Sequence, residues 1–199
     1  MSQPHAVVVL AAGGSTRLGQ PKQLLTRDGE TLVHRAARLA LATSPAQVLV
    51  VVGANPDSIA ASVADLDCEV VGNREWQSGL AGSLHAAGQH LAPDIRSVLV
   101  LVCDQPALER RHLDALLEGA RATASGCAAT VHADAPGVPA VVPRGWFETM
   151  PADASRGFGA RLRQQPADGI FLLETRELGM DIDSPQDLAI ARERGWLDD

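Results

Sequence analysis

Apolar runs and one-sided stretches alternate along this chain. Residues 7–10 form a short, wholly apolar run, the pattern of a strand buried on both faces. Residues 47–53 (QVLVVVG) and 97–103 (SVLVLVC) repeat it, and shorter runs at 68–71, 127–131, 138–142 and 170–173 also read as strands. Between them, residues 31–43 place apolar side chains at 32, 33, 36, 39 and 40, an amphipathic helical spacing, and 108–122 is patterned likewise. Asn55-Pro56 and Ser184-Pro185 mark two further helix starts. A polar, Gly-punctuated loop over 73–83 leads into a helix at about 81–91, and a polar turn containing Pro136 and Gly137 is expected to join the strands at 127–131 and 138–142. Strands alternating with helices at this pace predict an α/β fold with a mostly parallel central sheet, a single domain over residues 1–199.

Chemistry concentrates where the first strand ends. Leu10, Ala11, Ala12, Gly13 and Gly14 carry small side chains after the strand, so backbone N–H groups there can approach an anion closely. Arg17 and Lys22 follow, Lys22 behind Pro21, and together they describe a phosphate cradle. A dinucleotide fingerprint does not fit the glycines at 13, 14 and 19. Gly14 and Gly19 have P-loop separation, but Gln20 and Pro21 replace the Lys and Ser or Thr. An ordinary strand-to-helix loop with surface charges is the bland alternative.

Asp104 stands at the carboxyl end of the 97–103 run, with Gln105 and Pro106 behind it. A carboxylate presented there suits a hard cation such as Mg²⁺, which takes one or two carboxylates plus substrate phosphates. Capping of the next turn is the competing explanation. Near the C-terminus, Ser184 and Asp187 are explained by a capping box. Asp181 and Asp183 are not, and their spacing of two on an extended segment points both carboxylates one way.

These motifs carry a resemblance. L-A-A-G-G-S-T-R-L-G-Q-P-K-Q-L-L, residues 10–25, resembles the L-A-A-G-x-S-x-R-M-G-x-x-K-x-L-L signature of the MobA-like nucleotidyltransferases, in the form seen in molybdenum cofactor cytidylyltransferases. The resemblance implies a Rossmann-like three-layer sandwich of the nucleotide-diphospho-sugar transferase type, with an N-terminal nucleotide-binding half and an acceptor side at about 125–180. It implies transfer of a nucleotide from an NTP to a phosphate with Mg²⁺ and release of pyrophosphate, most specifically CMP from CTP to molybdopterin. A molybdoenzyme or its maturation chaperone would then receive the product. By the match N-x-x-W-x-x-G-x-x-x-S-L, Ser83 and the backbone around Gly82 face the base, while Trp76 shapes the acceptor side or packs. D-Q-P matches the metal motif at Asp104, and D-I-D-S-P-Q-D makes Asp183 the second metal carboxylate, with Asp181 as runner-up. Gly137 and Pro139 resemble a G-x-P segment on the acceptor side, where Arg144, Arg156 or Arg161 would meet the acceptor phosphate. The chain departs from the G-D-x-G-A-R pattern, with Gly157 at the Asp position. Two alternatives remain: a nucleotidyltransferase for a sugar phosphate or other phosphorylated acceptor, and a non-catalytic nucleotide-binding regulatory or chaperone protein.

Composition narrows the partners. The net charge is −7 and aromatic content is 3%, which excludes a cationic nucleic-acid surface and a base-stacking platform. Cys68, Cys103 and Cys127 are odd in number and scattered, the usage of reduced thiols in the cytosol. No signal peptide is expected at the N-terminus, and the apolar runs are too short to span a bilayer.

Overall fold

The computed structural model describes residues 4–149, 157–166 and 168–199. The chain runs β1 (His5–Ala11), a small hairpin of β2 (Thr26–Arg27) and β3 (Glu30–Thr31), α1 (Leu32–Leu41), β4 (Gln47–Val52), α2 (Pro56–Ser62), β5 (Glu69–Gly72), α3 (Leu80–His90), β6 (Ser97–Val102) and α4 (Arg110–Ala122). It continues through β7 (Cys127–His132), β8 (Ala135–Pro143), α5 (Gly145–Glu148), α6 (Gly159–Arg163), β9 (Ile170–Leu173) and α7 (Pro185–Glu193). The seven-stranded sheet has the order β5-β4-β1-β6-β8-β7-β9. Neighbours are parallel except β8, which lies antiparallel between β6 and β7. This is the expected α/β sandwich with a mostly parallel sheet.

The central strands read as continuous apolar runs because both faces are covered. Val7 and Val9 of β1, with Leu99 and Leu101 of β6, pack into a core under α1, α2 and α4. The alternate residues Val8, Val98 and Val100 pack into a second core under α3, α5 and α6. Leu18, Leu32, Ile182, Leu188 and Leu197 form a third, smaller cluster, which seats α7 beside the loop after β1. Ser184 and Asp187 make the expected reciprocal capping box on α7. The Ile182 N–H donates to the Asp104 carbonyl at 3.0 Å, so the 181–183 segment lies against the end of β6. No helix among the described residues is long and apolar enough to cross a membrane.

One local expectation needs correction. Pro136 and Gly137 are not in the turn. The β7–β8 turn is Ala133-Asp134, both at positive φ, and β8 already begins at Ala135. The prolines fit because β6 pairs only with residues 140–143 of β8, so the 135–139 half has a free edge where a missing N–H breaks no ladder bond. Asn55 does start α2, yet it sits at φ 54° and its side chain makes no cap bond.

Candidate active site

β1, β4, β5 and β6 run parallel and end at the same edge of the sheet, and the loops leaving β1, β5 and β6 build a cavity of about 220 Å³. Leu10, Ala12 and Gly13 line it from the end of β1, and Lys22 enters from a short 3₁₀ turn, Lys22–Leu24. Asp104 lines it from beyond β6, Ser83 from the first turns of α3, and Trp76 from the preceding loop. Motifs separated by up to about ninety residues in sequence therefore share one wall, the crevice at the carboxyl ends of parallel strands.

The small residues after β1 are held by a side chain that neither periodicity nor motif singled out. Gln23 is 1% exposed, and its Nε2 donates to the carbonyls of Ala11 (3.0 Å) and Gly13 (2.6 Å). Ser15 Oγ accepts from the Lys22 N–H at 3.1 Å and donates to Gln23 Oε1 at 3.4 Å. One buried amide thus ties down two carbonyls of the loop. A polar residue deep inside an apolar neighbourhood would have been the only cue.

Trp76 lines this cavity and packs against the turns after β1 and β4. A Cβ at Gly14 would come within 2.7 Å of its ring, and one at Gly53 within 2.4 Å of its Cβ, so both glycines admit the indole. Ser83 is buried, and its Oγ accepts from Asn73 Nδ2 at 3.1 Å, which leaves the hydroxyl hydrogen available to a ligand. Asn73 itself was not assigned a role from the sequence. Gly82 does not line the cavity; a Cβ there would meet Ser78 Oγ at 2.7 Å.

The charges form one chain. Lys22 Nζ lies 2.5 Å from Asp104 Oδ2 and 2.7 Å from Asp183 Oδ1, and Arg17 Nη2 lies 2.8 Å from Asp183 Oδ2. Burial opposes the charge on Lys22, but the contacts with Asp104 and Asp183 outweigh it and raise its pKa. The Lys22 hydrogen bond, opposed by burial and aided by Arg17, holds Asp183 below the usual carboxylate range. Asp181 is pushed up, first by burial and then by Asp104, although Gln105 Nε2 donates to its Oδ1 at 3.0 Å. Asp183, and not Asp181, is therefore the carboxylate joined to Asp104 through Lys22.

Asp104 Oδ1 is buried and has no hydrogen-bond partner among the described residues. A bare carboxylate oxygen beside a second carboxylate fits a divalent cation. No group of three or more His, Cys, Asp or Glu among the described residues is arranged to hold a metal, so phosphate oxygens and water would complete the shell.

The acceptor-side residues divide. Gly137 lines a neighbouring cavity. The Pro139 carbonyl accepts from Thr130 Oγ1 at 3.0 Å inside the sheet. Arg161 stacks on Trp146, its guanidinium 5.0 Å from the ring centroid, and donates to Thr149 Oγ1 at 2.9 Å. Arg144 pairs with Glu148. Arg156 lies outside the described residues.

Comparison with known proteins gives the family. The family model of the MobA-like NTP transferase domain matches residues 7–169. Nicotine blue oxidoreductase of Paenarthrobacter nicotinovorans is 36% identical over 167 residues, which cover 80% of this chain and 81% of that protein. The bifunctional protein GlmU of Rhodococcus opacus is 34% identical over 134 residues, 63% of this chain; that match spans 27% of GlmU. Among solved structures, the Mycobacterium tuberculosis Rv0371c homologue from Mycobacterium sp. strain JC1 has a TM-score of 0.75 at 28% identity, with 98% of each chain covered.

Proposed function

The chain belongs to the MobA-like NTP transferase family, and from that premise we propose that it transfers a nucleotide from an NTP to a phosphorylated acceptor, releasing pyrophosphate. The observation that carries this reading is the Asp104–Lys22–Asp183 array, whose Asp104 and Lys22 line the cavity behind β1. Attack by an acceptor phosphate oxygen on the α-phosphorus builds negative charge on the equatorial oxygens and on the departing pyrophosphate, so fixed cations and N–H groups contribute most. Lys22 supplies the buried cation. Arg17, 72% exposed at its side chain, meets the outer phosphates at the mouth. Gln23 fixes the Ala11–Gly13 backbone so that it presents a preformed surface, and no reorganisation is needed at the moment of reaction. The acceptor phosphate is already ionised near neutral pH, so no general base is required. Asp104 and Asp183 would hold Mg²⁺, which when bound supplies charge neutralisation across the reacting phosphates.

In its most specific form the reading is CMP transfer from CTP to molybdopterin, carried by the form of residues 10–25 and by Ser83. A second reading follows from the 36% identical nicotine blue oxidoreductase: a nucleotide cofactor in the same cavity, serving a redox reaction. Hydride transfer builds no charge on phosphate, so it gives the paired carboxylates and Lys22 no task, and this favours the transferase. Pyrophosphate release from CTP, Mg²⁺ and a phosphorylated acceptor, run beside NADH and NADPH oxidation, separates the two. Pyrophosphate without reductant consumption supports the transferase; the converse supports the oxidoreductase.

A further inference from the structure

The β2–β3 hairpin is tied to both segments that carry the carboxylates of the site. On one side, Arg27 Nη1 donates to the Pro106 carbonyl at 2.6 Å, in the turn that follows Asp104. On the other, the turn residues Asp28 and Gly29 lie at φ 56° and 75°, which presents two successive N–H groups to one acceptor. Asp198 is that acceptor: its Oδ1 takes the Asp28 N–H and its Oδ2 the Gly29 N–H, each at 2.9 Å. The Asp198 N–H in turn donates to the Thr26 carbonyl at 2.8 Å.

Asp198 moves with Asp183. α7 follows Asp183 directly, behind its cap Ser184, and Arg192 in the last turn of α7 donates through Nε to the Asp198 carbonyl at 3.0 Å. Leu197 is buried with Ile182 and Leu188 in the third cluster. The hairpin therefore bridges the Asp104 turn and the body that holds Asp183. Beside the site the same two parts meet through the Ile182 N–H and the Asp104 carbonyl, at 3.0 Å. One such bond leaves them free to pivot about it, and a separate attachment through the hairpin removes that freedom.

Stability alone accounts poorly for these ties. Two strands of two residues each do not hold as a free hairpin, so this one keeps its shape through its partners. The Arg27 side chain is 19% exposed, and its Nε is buried without a hydrogen-bond partner among the described residues, the Asp28 carboxylate standing 3.5 Å away. An unpaired N–H on a mostly buried guanidinium costs free energy, and an apolar side chain would pack there without that cost. What the guanidinium adds is direction, a charge-assisted bond to one carbonyl. The paired bonds to Asp198 add the same at the turn.

We infer that Arg27 and Asp198 are positioning residues: through the hairpin they fix Asp104 and Asp183 in the mutual orientation that lets both hold one divalent cation. Neither lines the cavity. The inference rests on the transferase reading above and deepens it. With either tie cut, the two carboxylates pivot apart and meet the cation singly.

The test is calorimetric titration of the nucleotide-free full chain with MnCl₂, beside melting curves. Arg27→Met and Asp198→Leu should each weaken Mn²⁺ binding by about tenfold or more, the scale on which supports around metal ligands act. Arg27→Lys and Asp198→Asn, which each keep one bond, should restore most of it. The double variant should bind little worse than either single one, because cutting one tie already frees the hairpin. Arg38→Met removes two bonds to Glu30 on the same hairpin but touches neither tie, so it should lower Tm while Mn²⁺ binding stays within about twofold. Asp198→Leu decides alone if Arg27→Met is unfolded. No Mn²⁺ binding by wild type, binding indifferent to the cut ties, losses that add in full, or an equal loss in Arg38→Met overturns the inference. If Mn²⁺ binding follows the expected pattern but CTP gives no pyrophosphate, the transferase reading fails and the positioning role stands. If pyrophosphate is released while Mn²⁺ binding ignores both ties, the transferase reading stands and this inference falls.

Discussion

Lys22 Nζ lies 2.5 Å from Asp104 Oδ2, and the same ammonium reaches Asp183 at 2.7 Å. One lysine thus pairs with both carboxylates proposed to hold the metal. On the proposed function, triphosphate entering the cavity would compete for that ammonium, and each carboxylate it released would become free to take a cation. Lys22→Met should lower kcat/KM by on the order of 10² or more, the scale of one preorganised charge contact. It should also tighten Mn²⁺ binding to the nucleotide-free protein, because Asp104 and Asp183 lose their internal partner. Calorimetric titration with MnCl₂ checks the second outcome; unchanged or weaker binding would contradict the competition.

Gln23 holds the loop after β1 by two bonds from one buried amide. Gln23→Met keeps the volume but leaves two carbonyls without their donor, a loss of about 1–3 kcal/mol for each buried group left unpaired. The variant should be less stable and should raise KM for the NTP more than it lowers kcat, since the cradle positions phosphates before chemistry begins. Steady-state kinetics beside a thermal melt decide this. A stability loss with an unchanged KM would make Gln23 a purely structural residue.

Glu30 accepts from Arg38 Nε and Nη2, both at 2.7 Å, and contacts His34 Nδ1 at 2.6 Å. The Arg38 bonds first, opposed by burial and aided by His34, lower its pKa from 4.5 to about 2. A depressed carboxylate stabilises the fold fully above its unfolded pKa and loses that contribution as pH falls through the folded one. Glu30→Gln should therefore lower Tm by a few degrees at pH 7, and the gap from wild type should shrink steadily from pH 4.5 toward pH 2. A gap that does not change with pH would remove the ion pairs from the account.

Base selection is the boldest expectation. Ala12 puts a methyl on the cavity wall, and Ser83 keeps a hydroxyl hydrogen free of its Asn73 partner. A small slot with a fixed donor suits a pyrimidine edge, and groups built to bond one base are left unpaired by another. CTP should exceed GTP by at least about tenfold in kcat/KM, roughly 1.4 kcal/mol. Kinetics with both nucleotides and one acceptor check it. A preference for GTP would sink the cytidylyl form and leave nucleotidyl transfer intact.

Much of the site was legible because its parts sit at strand ends, where an apolar run stops abruptly. Val7–Leu10 and Val98–Val102 announced themselves, and so did Lys22 and Asp104 beside them. Gln23, Asn73 and Gln105 were missed as site-building residues, since a buried amide leaves no periodic trace and is recognised only by the carbonyl or hydroxyl it meets. The hairpin at Thr26–Thr31 and α6 were too short to show a period. The packing of Trp76 was legible only as one of two roles because the cue for its position is spatial: the absent side chains of Gly14 and Gly53. The β7–β8 turn was misplaced because prolines in a sequence suggest a turn, whereas the free edge that tolerates them is a property of the sheet.

Nucleotidyl transfer at Asp104 is tested by following the α-phosphorus. CTP labelled there is incubated with Mg²⁺ and a phosphorylated acceptor, using wild-type protein and Asp104→Ala. Label should move onto the acceptor, with one pyrophosphate released per transfer. Asp104→Ala, folded by its melting curve, should lose nearly all of that movement. Transfer at wild-type rate by Asp104→Ala at limiting Mg²⁺, or no transfer by wild type while NADPH is oxidised, would contradict it.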